Sequence, residues 1–467
     1  MKRNVLLLVI CLPLLIAKPA GAQTADTLSQ LDRLFARYHN EMPGLAVAIS
    51  RDGKVIYNKA FGLADMEHMV PNTTKTIFEC GSVSKQFTAA AILLLIQDGK
   101  LSVNDDVRKY IPELPQYESP ITIRHLLSHI SGLKDWGAVY GLTGWPRTTR
   151  AYSQELSFDI VFRQKSLNFA PGSQYSYSNS NYVMLVLLVE RISGKSFAEF
   201  TTERLFKPLG MNDTQWRDDF REIVPGRAIA YSGTQTRFLL NMPFEDVHGP
   251  GGLLSTTADL LKWNQLLETN ELFSSNIAQL RIESGLLNDG KSSGYAAGLM
   301  IGKWNEFSEI SHSGSTAGYR AWLAWYPEKK LSVVLLSNYA STDPVGMGRS
   351  IAAVFLGARE ESATGSPVGP ATTNRPEPYK IDSVKAGEYV GKYYSDDVDV
   401  TYTIEARSNE VWIYRMAGDT FRISPSTADA FTNASNGTFK FTRDKKGKIS
   451  GFTVSVSRAV NVPFRKL

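Results

Sequence analysis

Apolar positions recur at helical spacing through Leu28, Leu31, Leu34, Phe35 and Tyr38, which predicts an amphipathic helix over residues 25–40. The period then changes. Two apolar runs, Leu45–Ser50 and Val55–Phe61, flank Arg51-Asp52-Gly53-Lys54, the pattern of a β-hairpin. A run rich in Ala, Leu and Ile from Ser82 to Gln97 predicts a long helix, stopped by Asp98-Gly99. Loop-rich and short helical stretches fill 100–300. Strands return at Ala321–Tyr326 and Leu331–Asn338, before a last helix near Gly348–Leu356. Strands at both ends with helices between them predict one α+β domain whose terminal elements share a sheet.

From Arg359 the pattern dissolves into Ala363-Thr364-Gly365-Ser366-Pro367 and then Pro370, Pro376 and Pro378, a linker over 359–379. Beyond it the apolar runs are short and alternating: Val398–Ile404, Glu410–Arg415, Thr438–Thr442 and Gly451–Ser457, separated by turn residues such as Lys446-Gly447. Residues 380–467 therefore read as a small all-β module, a barrel or sandwich. Its aromatics, Tyr393, Tyr394, Trp412, Tyr414 and Phe421, suit a core better than a carbohydrate platform.

Composition narrows the class. Charged residues break every apolar run after the first twenty positions, which excludes a multi-span membrane protein. Lys2 and Arg3 precede the apolar run Val5–Ala17, and Ala20-Gly21-Ala22 offers a small-residue cleavage site before Gln23. Residues 1–22 therefore read as a secretory signal peptide, and the mature protein is expected in the periplasm or the medium. Losing Lys2, Arg3 and Lys18 lowers the formal charge from +5 to +2, so nothing points to nucleic acid. Cys11 leaves with the leader. The remaining Cys80 can form no internal disulfide and suits a buried small hydrophobe, which argues against thiol and Cys-ligated zinc chemistry.

Three short motifs carry candidate chemistry. Ser82-Val83-Ser84-Lys85 puts a hydroxyl and an amine three residues apart, on one face at the start of the long helix. There an amine held neutral by burial can accept the serine proton. Tyr177-Ser178-Asn179 precedes the apolar helix Tyr182–Ile192 and offers a phenol and an amide. His312-Ser313-Gly314, followed by Ser315, approaches the strand at 321–326. A strand edge there can give a backbone N–H to an oxyanion, and Gly314 allows close approach. Each motif alone also fits ordinary capping or turn chemistry. His125 and His129 have the spacing of a zinc helix but lack its Glu, and read as structural. No Gly-x-Ser-x-Gly elbow, P-loop or dinucleotide pattern occurs.

In this order, Ser-x-x-Lys at 82, Tyr-x-Asn at 177 and His-x-Gly at 312 resemble the penicillin-recognising serine hydrolases, in the branch of class C β-lactamases, DD-peptidases, D-aminopeptidases and esterases. Ile121–Leu133 resembles that family's segment after the nucleophile helix, and Gly249–Thr256 its glycine-rich stretch. The resemblance implies a β-lactamase/transpeptidase-like α+β domain over 23–358, an antiparallel sheet with helices on both sides, followed by a lipocalin-like all-β domain. It implies Ser82 as nucleophile, Lys85 and Tyr177 as proton carriers, Asn179, His312 and Gly314 as orienting residues, and the N–H groups of Ser82 and Ser315 as oxyanion hole. It implies no metal and no cofactor. The family's β-lactamases carry Lys where this chain has His312, which favours D-amino-acid peptides, with a carboxylesterase or weak β-lactamase as the alternative. A penicillin-binding sensor that acylates without turnover is a second alternative.

Overall fold

The computed structural model describes residues 20–146, 150–358, 379–416 and 418–467. Of the expected leader only residues 20–22 fall within these bounds, and of the expected linker only Tyr379; the rest of both lies outside the described residues. A six-stranded antiparallel sheet organises the larger part. Its strands are β1 (Leu45–Arg51), β2 (Lys54–Phe61), β3 (Met300–Trp304), β4 (Phe307–Thr316), β5 (Tyr319–Tyr326) and β6 (Leu331–Ser337), in the order β2-β1-β6-β5-β4-β3. The first and last runs of the domain thus pair directly, Leu45 opposite Ser337 and Arg51 opposite Leu331. Asp52 and Gly53 both take positive φ, 50° and 70°, the conformation a two-residue hairpin turn requires.

Alternation along these strands feeds two cores rather than one core and solvent. Leu45, Val47 and Ile49 of β1 join Val333 and Leu335 against α1 (Ala20–Phe35) and, near the domain's end, α5 (Pro344–Leu356). Ala46 and Ala48 point the other way, with Val334 and Leu336, toward α2 (Lys85–Gln97), α3 (Asn179–Ser193) and α4 (Thr257–Thr269). Small residues on that face let α4 lie close against β1 and β6. The first helix ends at Phe35, not at residue 40. Tyr38 continues the apolar spacing but reaches the core from a turn, its hydroxyl 3.2 Å from the Thr342 hydroxyl. The His312 motif does not merely approach a strand: it lies within β4, a strand the apolar pattern does not mark because Ser and Gly interrupt it.

The C-terminal part is a closed antiparallel barrel of eight strands, β7 (Gly391–Ser395) through β13 (Ile449–Val456) and β14 (Ala459–Lys466), sealed by pairing of β7 with β14. Closure removes free edges. Its interior is filled by Tyr389, Tyr393, Tyr402, Phe431, Phe441, Phe452 and Phe464, with Phe452 and Phe464 stacked at 4.8 Å. Of the five aromatics read as core from sequence, Tyr393 is fully buried, while Tyr394 is only partly so and bonds Asp399.

Candidate active site

The Ser82 motif sits on a short 3-10 turn, Gly81–Ser84, that leads into α2. Gly81 takes φ +50°, and a Cβ there would stand 2.6 Å from the Ser315 nitrogen, so only glycine lets the turn approach β4 this closely. The approach is possible because β3 stops pairing at Ser311. From His312 onward that flank of β4 is open and lies against the Ser82 turn. Gly314 faces the Cys80 carbonyl, which a Cβ would meet at 2.0 Å. The main chain at Ser82 and Ser315 is thereby brought to the two sides of one small cleft, lined also by Trp136, Asn179, Glu245 and Pro250.

Lys85 is wholly buried, and its amine has three oxygen neighbours: Ser82 Oγ at 3.2 Å, Asn179 Oδ1 at 2.9 Å and the Pro250 carbonyl at 2.7 Å. Burial holds its pKa well below the usual lysine value. Asp135 works in the opposite direction, and Arg458 adds to the lowering. A neutral amine has two N–H donors and one lone pair. The two carbonyl-type oxygens take the donors, and the Ser82 hydroxyl is left to donate to the lone pair. The glycine-rich stretch bends to supply the Pro250 oxygen while Gly249 accepts from Thr88 Oγ1 at 3.1 Å.

Asn179 opens α3, and its backbone N–H donates to Asp135 Oδ2 at 2.8 Å. Two residues earlier, Tyr177 lays its ring 4.7 Å from the Lys85 nitrogen. Its hydroxyl is buried and faces Ser82 short of a well-formed hydrogen bond. Burial pushes this phenol upward, so it stays protonated, although Ser82 and Arg458 pull the other way. His129 carries the loop that aims Tyr177. Its Nδ1 accepts from the Ser178 N–H at 3.2 Å, its carbonyl from the Ser176 N–H at 3.0 Å, and its ring lies 4.3 Å from that of Tyr177. The histidine pair set aside in the sequence thus has one member directly behind the second motif.

His312 is buried on β4 with both ring nitrogens occupied. Nδ1 lies 2.6 Å from the Ser313 carbonyl and must carry the proton there, so Nε2 accepts from the Tyr295 hydroxyl at 2.9 Å. Burial and the neighbouring Lys85 push its pKa down to about 3, so it is neutral at working pH. Two residues that no motif announces, Asp135 and Tyr295, join this site, together with His129, which the sequence reads as structural. Among the described residues, no group of three or more His, Cys, Asp or Glu is placed to hold a metal ion.

The family profile described as Beta-lactamase matches residues 31–356, the whole sheet domain and none of the barrel. The chain belongs to the Beta-lactamase family. As a member it is a serine hydrolase by fold and lineage. A penicillin-binding protein of Bacillus subtilis is 30% identical over 370 residues, 75% of this chain and 79% of the relative. A D-aminopeptidase of Brucella anthropi is 30% identical over 310 residues, 64% of this chain but 57% of the relative's length. The fold of the octameric penicillin-binding protein homologue from Pyrococcus abyssi covers 94% of this chain and 99% of its own at a TM-score of 0.63, with 23% identity. The likeness of architecture therefore includes the barrel, which the family profile leaves out.

Proposed function

We propose that this Beta-lactamase family member hydrolyses amide or ester bonds next to D-amino acids through an acyl-enzyme on Ser82. The observation that carries this reading is the desolvated Lys85 amine, held by Asn179 and Pro250 with its third neighbour the Ser82 hydroxyl. Lys85 takes the Ser82 proton as Oγ attacks the substrate carbonyl. The N–H groups of Ser82 and Ser315 hold the oxyanion, whose charge develops against fixed dipoles. Protonated Tyr177 gives its proton to the leaving amine or alcohol and recovers one from Lys85, and the acyl–oxygen bond to Ser82 remains. Water then attacks the acyl group, its proton passes to the Lys85–Tyr177 pair, and Ser82 Oγ leaves with a proton returned from it.

The substrate class rests on two features. A neutral His312 gives the third motif no fixed cation for a β-lactam or C-terminal carboxylate, while Glu245 lines the Ser82 cleft and suits a substrate ammonium. The similarity to a D-aminopeptidase and a penicillin-binding protein supports D-configured substrates. Among the described residues no helix is long and apolar enough to cross a membrane. The basic and apolar N-terminus supports export, with residues 23–358 as the catalytic domain and 380–467 as the barrel domain. Turnover of a D-alanine p-nitroanilide, its L-enantiomer, a short-chain p-nitrophenyl ester and a penicillin tests the reading. It requires D over L by at least about tenfold and no turnover by Ser82→Ala. Preference for the L-anilide, or undiminished turnover by the alanine variant, overturns it. A stable adduct without turnover would make the protein a penicillin-binding sensor instead.

A further inference from the structure

We propose that the C-terminal barrel is a working part of the active site: Arg458, on the turn of its last hairpin, neutralises the buried Asp135 carboxylate and through it sets the charge state of Lys85. This rests on the reading of Lys85 as the base for Ser82. The turn is Ser457-Arg458, between β13 and β14, and the catalytic domain grips it by main-chain atoms. The Arg458 carbonyl accepts from the Asp135 N–H at 3.0 Å and from Asn168 Nδ2 at 3.1 Å, and Asn168 Oδ1 accepts from the Val460 N–H at 2.8 Å. Further docking contacts come from Gln164 Nε2 to the Asp397 carbonyl at 3.0 Å and Arg415 Nη1 to the Gly141 carbonyl at 3.2 Å.

The side chain of Arg458 then turns to Asp135, Nη1 lying 3.5 Å from Oδ2. Asp135 is 0% exposed, Arg458 40%. A buried carboxylate needs donors and a counter-charge. Asp135 has the donors in Asn179 N–H and Ala138 N–H, at 2.8 and 2.9 Å, and both belong to the site's own framework. For the counter-charge two bases compete. A guanidinium brings a permanent positive charge to Asp135, so while Arg458 is docked Lys85 need not supply one. Without it, the cation left nearby is Lys85 in its ammonium form, one residue removed through Asn179, whose N–H donates to Asp135 Oδ2 at 2.8 Å and whose Oδ1 lies 2.9 Å from Lys85 Nζ. The other titratable groups facing Lys85 are Tyr177, Tyr182, His129 and His312. The two phenols are held protonated and the two imidazoles neutral by burial, so none of them replaces the missing charge. The cavity of about 370 Å³ between barrel and catalytic domain is lined by Arg458, Arg415, Trp136 and Asn179, and the last two also line the Ser82 cleft. Barrel and nucleophile therefore share walls.

The test is the rate of labelling by a fluorophosphonate across pH, with full-length protein. Arg458→Gln keeps every main-chain docking bond and should move the acid limb of the profile upward by about one pH unit, with the plateau rate kept. Arg458→Lys should stay near the parent profile, and Asp135→Asn should move the limb the opposite way, to lower pH. The two opposite shifts keep the test decisive if either variant folds poorly. A uniform rate loss at all pH, an unshifted profile, or a defect confined to KM for carboxylate-bearing substrates would overturn the proposal. Labelling that survives Ser82→Ala would instead overturn the underlying reading, a distinct result.

Discussion

Gly314 is the position where a single methyl group should separate folding from catalysis. The Cβ of an alanine there would sit 2.0 Å from the Cys80 carbonyl oxygen, 3.0 Å from its carbon and 3.2 Å from Ala321 Cβ. Ordinary carbon–oxygen contact is about 3.3 Å. Because both obstructing groups are main chain or its first carbon, no rotamer relieves the clash, and β4 must retreat from the Ser82 turn by about 1.3 Å. Ser315 moves with it. An oxyanion donor displaced that far loses most of its hydrogen bond, which lowers kcat by about 10²–10³-fold, whereas crowding of this kind costs only about 1–3 kcal/mol of stability. Steady-state kinetics of Gly314→Ala on the best substrate, beside a urea denaturation curve, measures both. A variant that folds and keeps kcat within about threefold of the parent would refute the role given to the β4 backbone.

The remaining predictions address charge and burial. His312 is buried neutral with its pKa pushed down to about 3, so the unfolded chain binds a proton there that the native state refuses between about pH 6.5 and that value. Stability should therefore fall as pH falls through this window, and the fall should be shallower in His312→Gln, as read from urea midpoints at successive pH values. Arg227 and Glu79 form a buried ion pair at 3.1 Å just before the nucleophile turn. Arg227→Met should cost about 3–5 kcal/mol, because it takes the counter-charge from a buried carboxylate, while Arg227→Lys should cost less. Tyr295→Phe removes the donor to His312 Nε2 and should cost about 1–3 kcal/mol in thermal or chemical denaturation.

The sequence singles out Ser82, Lys85, Tyr177, Asn179, His312 and Gly314 through the order of three motifs, each ambiguous alone, and the fold sets the three motifs beside one another. What the spacing could not carry is how the three pieces close on one another. Asp135 and His129 act through main-chain N–H groups of the second motif, 44 and 49 residues away for the bonds to Asn179 and Ser178; nothing local marks Asp135, and the spacing of His129 to His125 does not point to Tyr177. Tyr295 lies in a loop held close to the start of α2: a Cβ at Gly298 would stand 2.6 Å from the Lys85 carbonyl oxygen and 2.7 Å from Gln86 Cα. The β1–β2 hairpin was readable from its Asp-Gly turn, and the pairing of β1 with β6 from the order of strands. In the barrel, four of the eight strands stood out by alternation. The others, such as Asp419–Thr427 with Pro425 inside it and Ala430–Asn433, are interrupted or too short for a period-two signal, and closure of the barrel sustains them. Arg458 carries no local mark in the sequence, and only the placement of its hairpin sets it beside Asp135.

Turnover through the proposed route requires that Ser82 become covalently acylated. Intact-protein mass spectrometry after brief exposure to a D-amino-acid ester, a penicillin and a fluorophosphonate, followed by peptide mapping, reads it directly. One added acyl or phosphonyl group is expected, located on the peptide that contains Ser82, and none on Ser82→Ala. An adduct on another residue, or one that persists in the alanine variant, would contradict it.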